Sequence, residues 1–174
     1  NPFLLRSVTP PIEAIVGRRV VDVRRMGKRI ILDFGDELYL VVHLMIAGRL
    51  RWRPTGGKVP PKLGIAYFDF PNGVLILTEA GTKRRASLTL VQGDAALAAI
   101  DRGGLEPLDA THAAFAERLR RENHTLKRSL TDPRLFSGIG NAFSDEILHR
   151  ARLSPLLLTS RLDDDTIERE IGRV

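Results

Sequence analysis

The sequence has 174 residues, no cysteine, and 27 Lys and Arg against 21 Asp and Glu, which gives a formal net charge of +6. The lack of cysteine excludes disulfides and thiolate metal sites in this chain, and no apolar run approaches the ~20 residues of a membrane span. With 43% hydrophobic and 28% charged residues, we expect a folded domain without membrane association. A cytoplasmic location is expected, on the nucleoid if the source is bacterial.

The basic side chains are concentrated in the first half of the chain. Residues 1–90 carry 15 basic and 7 acidic groups, whereas residues 91–174 carry 12 and 14. A basic half favours a polyanionic partner, with nucleic acid as the first candidate. A surface whose charge only maintains solubility explains the same numbers equally well.

Residues 1–92 are predicted to form antiparallel β-structure. Strands are expected at 30–34, 38–44, 65–70, 74–77 and 86–91. Two hairpins are predicted. The first pairs 30–34 with 38–44 across the turn Gly35-Asp36-Glu37, and the second pairs 65–70 with 74–77 across Pro71-Asn72-Gly73. Asn-Gly in the second turn suits the positive φ angles of a tight turn. The Gly- and Pro-rich stretch 53–61 predicts a loop. Short antiparallel strands at this spacing indicate a β-sandwich or barrel.

Residues 93–174 are predicted to be helical, so the expected fold class is α+β, an antiparallel β-sandwich followed by a helical domain. Helices are expected at 94–100, 111–121, 126–130 and 141–152, and a last helix from 162–165 to the end of the chain. Thr111 and Asn141 are strong N-cap residues, and Gly103-Gly104 suits a left-handed C-terminal cap. The domain boundary is placed near 92–94 or within the linker 103–109.

Gly138-Ile139-Gly140-Asn141 connects two of the predicted helices. Glycine lets the backbone approach a ligand closely, and successive N–H groups at a helix N-terminus form a ready anion site. The Asn141 amide can donate to the same phosphate, and Lys127 adds positive charge from the preceding helix. A glycine cap followed by an asparagine cap explains the same residues without any ligand.

The longer segment around this motif resembles the helix–two-turns–helix DNA-binding element of the formamidopyrimidine-DNA glycosylase and endonuclease VIII family. The family pattern runs Gly-Ile-Gly-Asn-(Ile)-Tyr-(Ala)-Asp-Glu and then Phe-Arg-Ala-Gly-Ile-x-Pro. This chain has GIGNAFSDE at 138–146 and HRARLSP at 149–155, with Phe143 in place of Tyr. In the β-half, HLMIAGRL at 43–50 is similar to the family's His-Leu-Gly-Met-Ser-Gly-x-Leu, and GKRIIL at 27–32 to its Gly-Lys strand entry.

The resemblance implies phosphate contacts for three residues. The family's matching Lys and His contact phosphates around the lesion, and its Asn grips a neighbouring phosphate, so these roles are carried to Lys28, His43 and Asn141. Lys127 and Gly140 complete the predicted phosphate-binding set, from the anion site at the helix start described above. A Lys at a turn and a His at a strand end suit phosphate donation, although exposed Lys and sheet-bonded His side chains are common without any ligand.

The family also fills the gap left by an everted base with a short wedge, usually formed by a Met, an Arg and a Phe. Ile46 occupies the Met position, and Arg84 is the expected inserted Arg. Arg85 stands where the family has Phe. An exposed basic loop is the alternative interpretation of Lys83-Arg84-Arg85.

The resemblance further implies DNA base-excision repair. Family members excise oxidised or ring-opened bases and nick the abasic strand by β-elimination, through a Schiff base on an N-terminal Pro with an adjacent Glu. This chain begins Asn1-Pro2-Phe3, which looks like an internal β-segment. We therefore expect upstream residues in the parent enzyme, no catalytic residue in this chain, and binding of damaged duplex DNA without turnover.

No cofactor is expected in this chain, because zinc in the family belongs to a C-terminal four-cysteine finger and this chain has no cysteine. Zinc is possible in a missing C-terminal finger of the parent, and a zinc-free version of the finger is the alternative. A monomer is expected. Two alternatives remain: a relative that binds damaged DNA without catalysis, and an RNA-binding protein. The second rests on a small ribosomal protein with a similar helix–two-turns–helix, and the β-half argues against it.

Overall fold

The structure, a computed structural model, describes residues 3–55, 64–80 and 82–167. It divides into two compact units, Asn1–Ala98 and Ala99–Val174. The first unit consists mainly of antiparallel strands and the second of helices, which confirms the predicted α+β class. The short helix α1 (Asp94–Ala98) contacts the last strand and lies in the first unit. In the described residues, no helix is long and apolar enough to span a membrane.

Seven strands form the β unit: β1 (Asp22–Met26), β2 (Arg29–Asp33), β3 (Leu38–His43), β4 (Gly48–Pro54), β5 (Gly64–Phe70), β6 (Gly73–Glu79) and β7 (Ser87–Gln92). They pair in two antiparallel sheets, β1-β2-β3-β7 and β4-β6-β5. Leu40 of β3, Leu77 of β6 and Leu90 of β7 are fully buried in one apolar cluster. Because this cluster draws on both sheets, the unit is the predicted sandwich.

Strand β4 was not predicted from the sequence. Arg49, Arg51 and Arg53 alternate along it as exposed residues, so only Leu50 and Trp52 carry an apolar pattern. The predicted loop 53–61 begins inside this strand, and residues 56–63 lie outside the described part of the chain.

Both predicted hairpins are present, as β2–β3 and β5–β6, but the second turn differs from the prediction. The first turn lies at Gly35-Asp36-Glu37 as predicted, with φ of 76°, 50° and 57°. In the second, Gly73 is already the first residue of β6 and pairs with Phe70. Asn72 is not among the described residues with positive φ, so the expected left-handed Asn-Gly turn was wrong.

The helical unit contains α2 (His112–Arg120), α3 (Leu126–Thr131), α4 (Asn141–Arg150) and the one-turn α5 (Asp164–Thr166). Its core is formed by fully buried side chains that include Leu119, Leu126, Leu130 and Phe136. Thr111 caps α2 as predicted, since its hydroxyl accepts from the Ala114 N–H at 3.2 Å. The predicted continuation of the last helix, 168–174, lies outside the described residues.

Two helix ends differ from the prediction. Gly140 is the N-cap of α4, and Asn141 is its first helical residue with no capping side-chain hydrogen bond. Helix α1 ends at Ala98, so Gly103, with φ of 70°, belongs to the linker rather than to a C-terminal cap. The Asn141 amide is thus not used to cap its own helix.

The linker before α2 lies directly against the segment that follows α3. The Leu105 N–H donates to the Leu135 carbonyl at 2.9 Å, and the Ser137 N–H donates to the Leu105 carbonyl at 2.7 Å. A Cβ on Gly104 would lie 2.5 Å from the Pro133 carbonyl oxygen and 2.8 Å from the Ser137 nitrogen. Only glycine permits this backbone approach.

Gly104→Ala should therefore lower the free energy of unfolding of the helical unit by about 1–3 kcal/mol, the usual cost of overpacking. Urea unfolding followed by circular dichroism measures the change. Gly103→Asn is the matched control, because no atom lies within 4 Å of its added Cβ and Asn tolerates the left-handed conformation. Equal losses in the two variants would contradict the packing argument.

Candidate nucleic-acid interface

Lys28 lies in a two-residue turn at one end of the four-stranded sheet. Met26 and Arg29 pair in the β1–β2 register, so Gly27 and Lys28 form the whole connection. Gly27 has φ of 58°, the positive angle that the first position of such a turn requires. The tight turn thus presents the Lys28 side chain at an exposed position.

His43 ends β3 at the same end of the sheet, where it pairs with Arg29 of β2. The Met45 N–H donates to His43 Nδ1 at 3.0 Å. Because Nδ1 accepts, the neutral ring carries its proton on Nε2 and retains one N–H donor. Burial, and then the charges of Arg29 and Lys28, lower the pKa of His43 below its usual value of 6.5. The imidazole is therefore a neutral donor at pH 7.

Lys28 and Arg29 place two cations beside the neutral His43 ring. The pKa of Lys28 is also lowered, first by burial and then by Arg29. Such shifts mean that adding positive charge here is unfavourable, and that an anion would relieve the repulsion. At the other end of β2, in the β2–β3 turn, Asp36 Oδ2 instead pairs with Arg18 Nη1 at 3.0 Å.

Ile46 projects from a tight connection between β3 and β4 and is 83% exposed. The Gly48 N–H donates to the Leu44 carbonyl at 2.9 Å, and a Cβ on Gly48 would lie 2.3 Å from that oxygen. Arg49 Nη1 donates to the carbonyls of Ile46 and Gly48 at 3.1 and 2.7 Å. A large apolar side chain is thus held in solvent on a braced turn.

Arg84 and Arg85 are exposed in the connection between β6 and β7. This connection closes on Glu79, which is only 2% exposed. Its carboxylate accepts from the N–H groups of Arg85 at 2.8 Å and Ala86 at 3.1 Å. Sequence reasoning missed Glu79; the available sign was an acidic residue two positions after the apolar run 74–77.

The Gly138–Gly140 connection in the helical unit is anchored by its middle residue. Ile139 is 6% exposed and belongs to the helical core, while Gly138 has φ of 81°. The first N–H groups of α4, beginning with that of Asn141, have no acceptor within the helix, as at every helix start. The Asn141 side chain is exposed beside them, which gives convergent donors for an anion.

Lys127 on α3 is paired rather than isolated. Its Nζ lies 2.6 Å from Asp145 Oδ1, one turn along α4 from Asn141. Both side chains are substantially exposed, and such pairs contribute little to stability. Its positive charge, predicted from sequence as an addition to the anion site, is therefore partly compensated in the structure.

Six of the eight predicted residues thus fall into two groups, while Arg84 and Arg85 lie in the connection between β6 and β7. Lys28 and His43 lie together at one end of the sheet, with Ile46 three residues beyond His43. Lys127, Gly140 and Asn141 lie together around the start of α4. Their roles stay predictions, and the positions are compatible with them.

Comparison with known proteins gives a consistent result. Residues 104–174 match the model of the formamidopyrimidine-DNA glycosylase H2TH domain. The chain is 33% identical to the formamidopyrimidine-DNA glycosylase of Heliobacterium modesticaldum, in an alignment that covers 90% of this chain and 58% of that protein. It is also 33% identical to the formamidopyrimidine-DNA glycosylase of Pelotomaculum thermopropionicum, where the alignment covers 93% of this chain and 58% of that protein. It therefore spans less than two thirds of the length of either relative.

The fold gives the same assignment. The Lactococcus lactis formamidopyrimidine-DNA glycosylase in complex with a FAPY-dG containing DNA superposes with a TM-score of 0.79 at 26% identity, covering 90% of this chain and 59% of that one. Sequence and structure agree over both units, from the β-sandwich to the helix–two-turns–helix. The chain belongs to the formamidopyrimidine-DNA glycosylase family.

Proposed function

We propose that this chain binds damaged duplex DNA and is the DNA-binding part of a base-excision repair glycosylase. The observation that carries the proposal is the neutral His43 donor beside Lys28 and Arg29. A cationic group with a free imidazole N–H at a sheet end is well suited to a phosphate, because charge and directed donors act together. The structure of a relative with damaged DNA supports the same partner.

The helical unit is proposed to hold a second phosphate. The start of α4 offers unsatisfied N–H groups and the positive end of the helix dipole, and Asn141 adds an amide donor. Lys127 can exchange Asp145 for a phosphate with little loss, since the exposed pair is weak. These contacts position the duplex without reading its sequence.

Ile46 is proposed to enter the stack where a base is turned out. Extruding a base costs a few kcal/mol of stacking, and an apolar side chain in the gap recovers part of it. The braced turn at Gly48 keeps Ile46 exposed before DNA arrives, which limits the ordering cost of binding. Arg84 and Arg85 are proposed to contribute from the Glu79-closed connection.

Excision and strand cleavage are proposed for the whole protein by resemblance to the family. There, a terminal amine attacks the deoxyribose, the base leaves, and the resulting iminium favours loss of a neighbouring proton and of the 3′ phosphate.

Zinc does not fit the described residues: cysteine is absent, and no three His, Asp or Glu side chains are grouped among them. No step of the proposal therefore involves a metal.

Lys28→Ala should weaken binding to a lesion-containing duplex and make the dependence of log K on log salt shallower by about one unit, because one phosphate contact is lost. Fluorescence anisotropy over a salt series measures both quantities. Arg18→Ala is the matched control, since its charge is already paired with Asp36 at the other end of the hairpin. An unchanged slope for Lys28→Ala would remove Lys28 from the interface.

DNA affinity should rise as the pH falls from 7.5 towards 5.5, and His43→Gln should reduce this rise. The free protein has a lowered His43 pKa, and a neighbouring phosphate would raise it. The complex would then bind more protons than the free protein, so binding strengthens with acidity. Gln retains an N–H donor but does not titrate. Parallel pH profiles for the two proteins would contradict a phosphate at His43.

Borohydride reduction on an abasic-site duplex tests the catalytic part of the proposal. An imine between protein and sugar would be trapped as a stable covalent product. In the family the nucleophile is a terminal Pro amine, so we expect trapping only from a protein that presents such an amine to the sugar. Binding to the same duplex, measured in parallel, should persist. Efficient trapping by the 174 residues would show that they contain their own nucleophile.

A further inference from the structure

A concave surface in the helical unit is lined by three arginines. Its volume is about 380 Å³, and its walls are Arg102, Arg128, Thr131, Asp132, Pro133 and Arg134. Arg102 comes from the linker before α2, Arg128 from α3, and Arg134 from the turn after α3. None of them belongs to the predicted phosphate contacts. We call this surface the arginine pocket.

The walls of the arginine pocket are fixed without any ligand. Arg118 Nη1 donates to the carbonyls of Gly103 and Arg134, each at 3.3 Å. Gly104 lies against the Pro133 carbonyl, and the backbone bonds of Leu105 continue the contact. The linker that carries Arg102 is therefore fastened to the turn that carries Arg134, so a ligand need not order the loops.

The charges in the pocket are unevenly compensated. Arg134 binds Asp132 through Nη2 at 2.6 Å and through Nε at 3.1 Å, and it also lies 3.9 Å from Glu122. In the described part of the chain, no hydrogen bond or ion pair engages the guanidinium of Arg102 or Arg128. Two cations thus lie exposed beside a carboxylate whose charge is already met by Arg134.

We propose that the arginine pocket binds a phosphate group, with Arg102 and Arg128 as its donors. A guanidinium presents planar N–H groups that match two phosphate oxygens, and two of them on a concave wall can hold one dianion or a bridging phosphodiester. The Thr131 hydroxyl donates to the Lys127 carbonyl at 2.8 Å and is already engaged. The phosphate comes from a nucleic-acid backbone or from a small phosphorylated molecule, and the chemistry of recognition is the same.

Inorganic phosphate tests the pocket directly. The Nε–H resonances of Arg102 and Arg128 should shift in a saturable manner on titration with phosphate, and not with chloride at equal ionic strength. Arg128→Ala and Arg102→Ala should each weaken the response severalfold, whereas Asp132→Asn, which removes the negative charge, should strengthen it. Arg121→Ala is the charge-matched control, since Arg121 does not line the pocket. A response that is absent or equal in all variants would overturn the proposal.

Binding to two DNA duplexes of different length distinguishes a backbone phosphate from a small phosphorylated molecule. The short duplex spans only the proposed contacts around the lesion, and the long duplex extends well beyond them. A backbone phosphate predicts that Arg128→Ala makes the salt slope shallower by about one unit on the long duplex and leaves the short one unchanged. A small-molecule phosphate predicts normal slopes on both, with the phosphate response still lost. The phosphate titration needs no DNA binding, so failure of the proposed DNA function and failure of the pocket are separable.

Discussion

Two exposed side chains of this protein, Ile46 and Arg102, are positioned by short connections in which the backbone packs closely against itself. Gly48 allows the β3–β4 turn to close on the Leu44 carbonyl, and Gly104 allows the linker to lie on the segment after α3. A side chain at either position would force the two strands of backbone apart. Ile46 on the first connection and Arg102 beside the second are therefore presented by rigid supports, in contrast to most exposed loops.

The charged side chains of this protein differ in how far a neighbouring opposite charge compensates them. Arg134 and Asp132, Lys127 and Asp145, and Arg18 and Asp36 are matched pairs. Around His43 the balance is different. Burial, and then the charges of Arg29 and Lys28, lower the pKa of His43, and the neutral ring does not offset the repulsion between these two cations. Repulsion of this kind lowers the stability of the unliganded protein, and a bound anion would reduce it.

Much of this arrangement could be predicted from sequence, for identifiable reasons. The apolar runs around Asp36 gave the central hairpin, and Thr111 gave a helix start, because local pattern and final structure coincide there. Strand β4 was not predicted, because its three exposed arginines leave only two large apolar residues, too few for a recognisable alternation of apolar and polar positions. The N-cap of α4 was misplaced by one residue, because glycine and asparagine are both favoured at that position. The arginine pocket depends on contacts between the linker before α2 and the segment around α3, which no local pattern encodes.

Glu79 has a consequence for how this protein can change. Strands β6 and β7 belong to different sheets, so the chain must cross from one sheet to the other between them. The buried carboxylate binds the backbone at Arg85 and Ala86 and closes the crossing at its base. Arg84 and Arg85 are exposed and lie outside the pairing of either sheet, so their side chains can be exchanged without a change in strand register. The surface chemistry of the basic connection is thus independent of the sandwich that carries it.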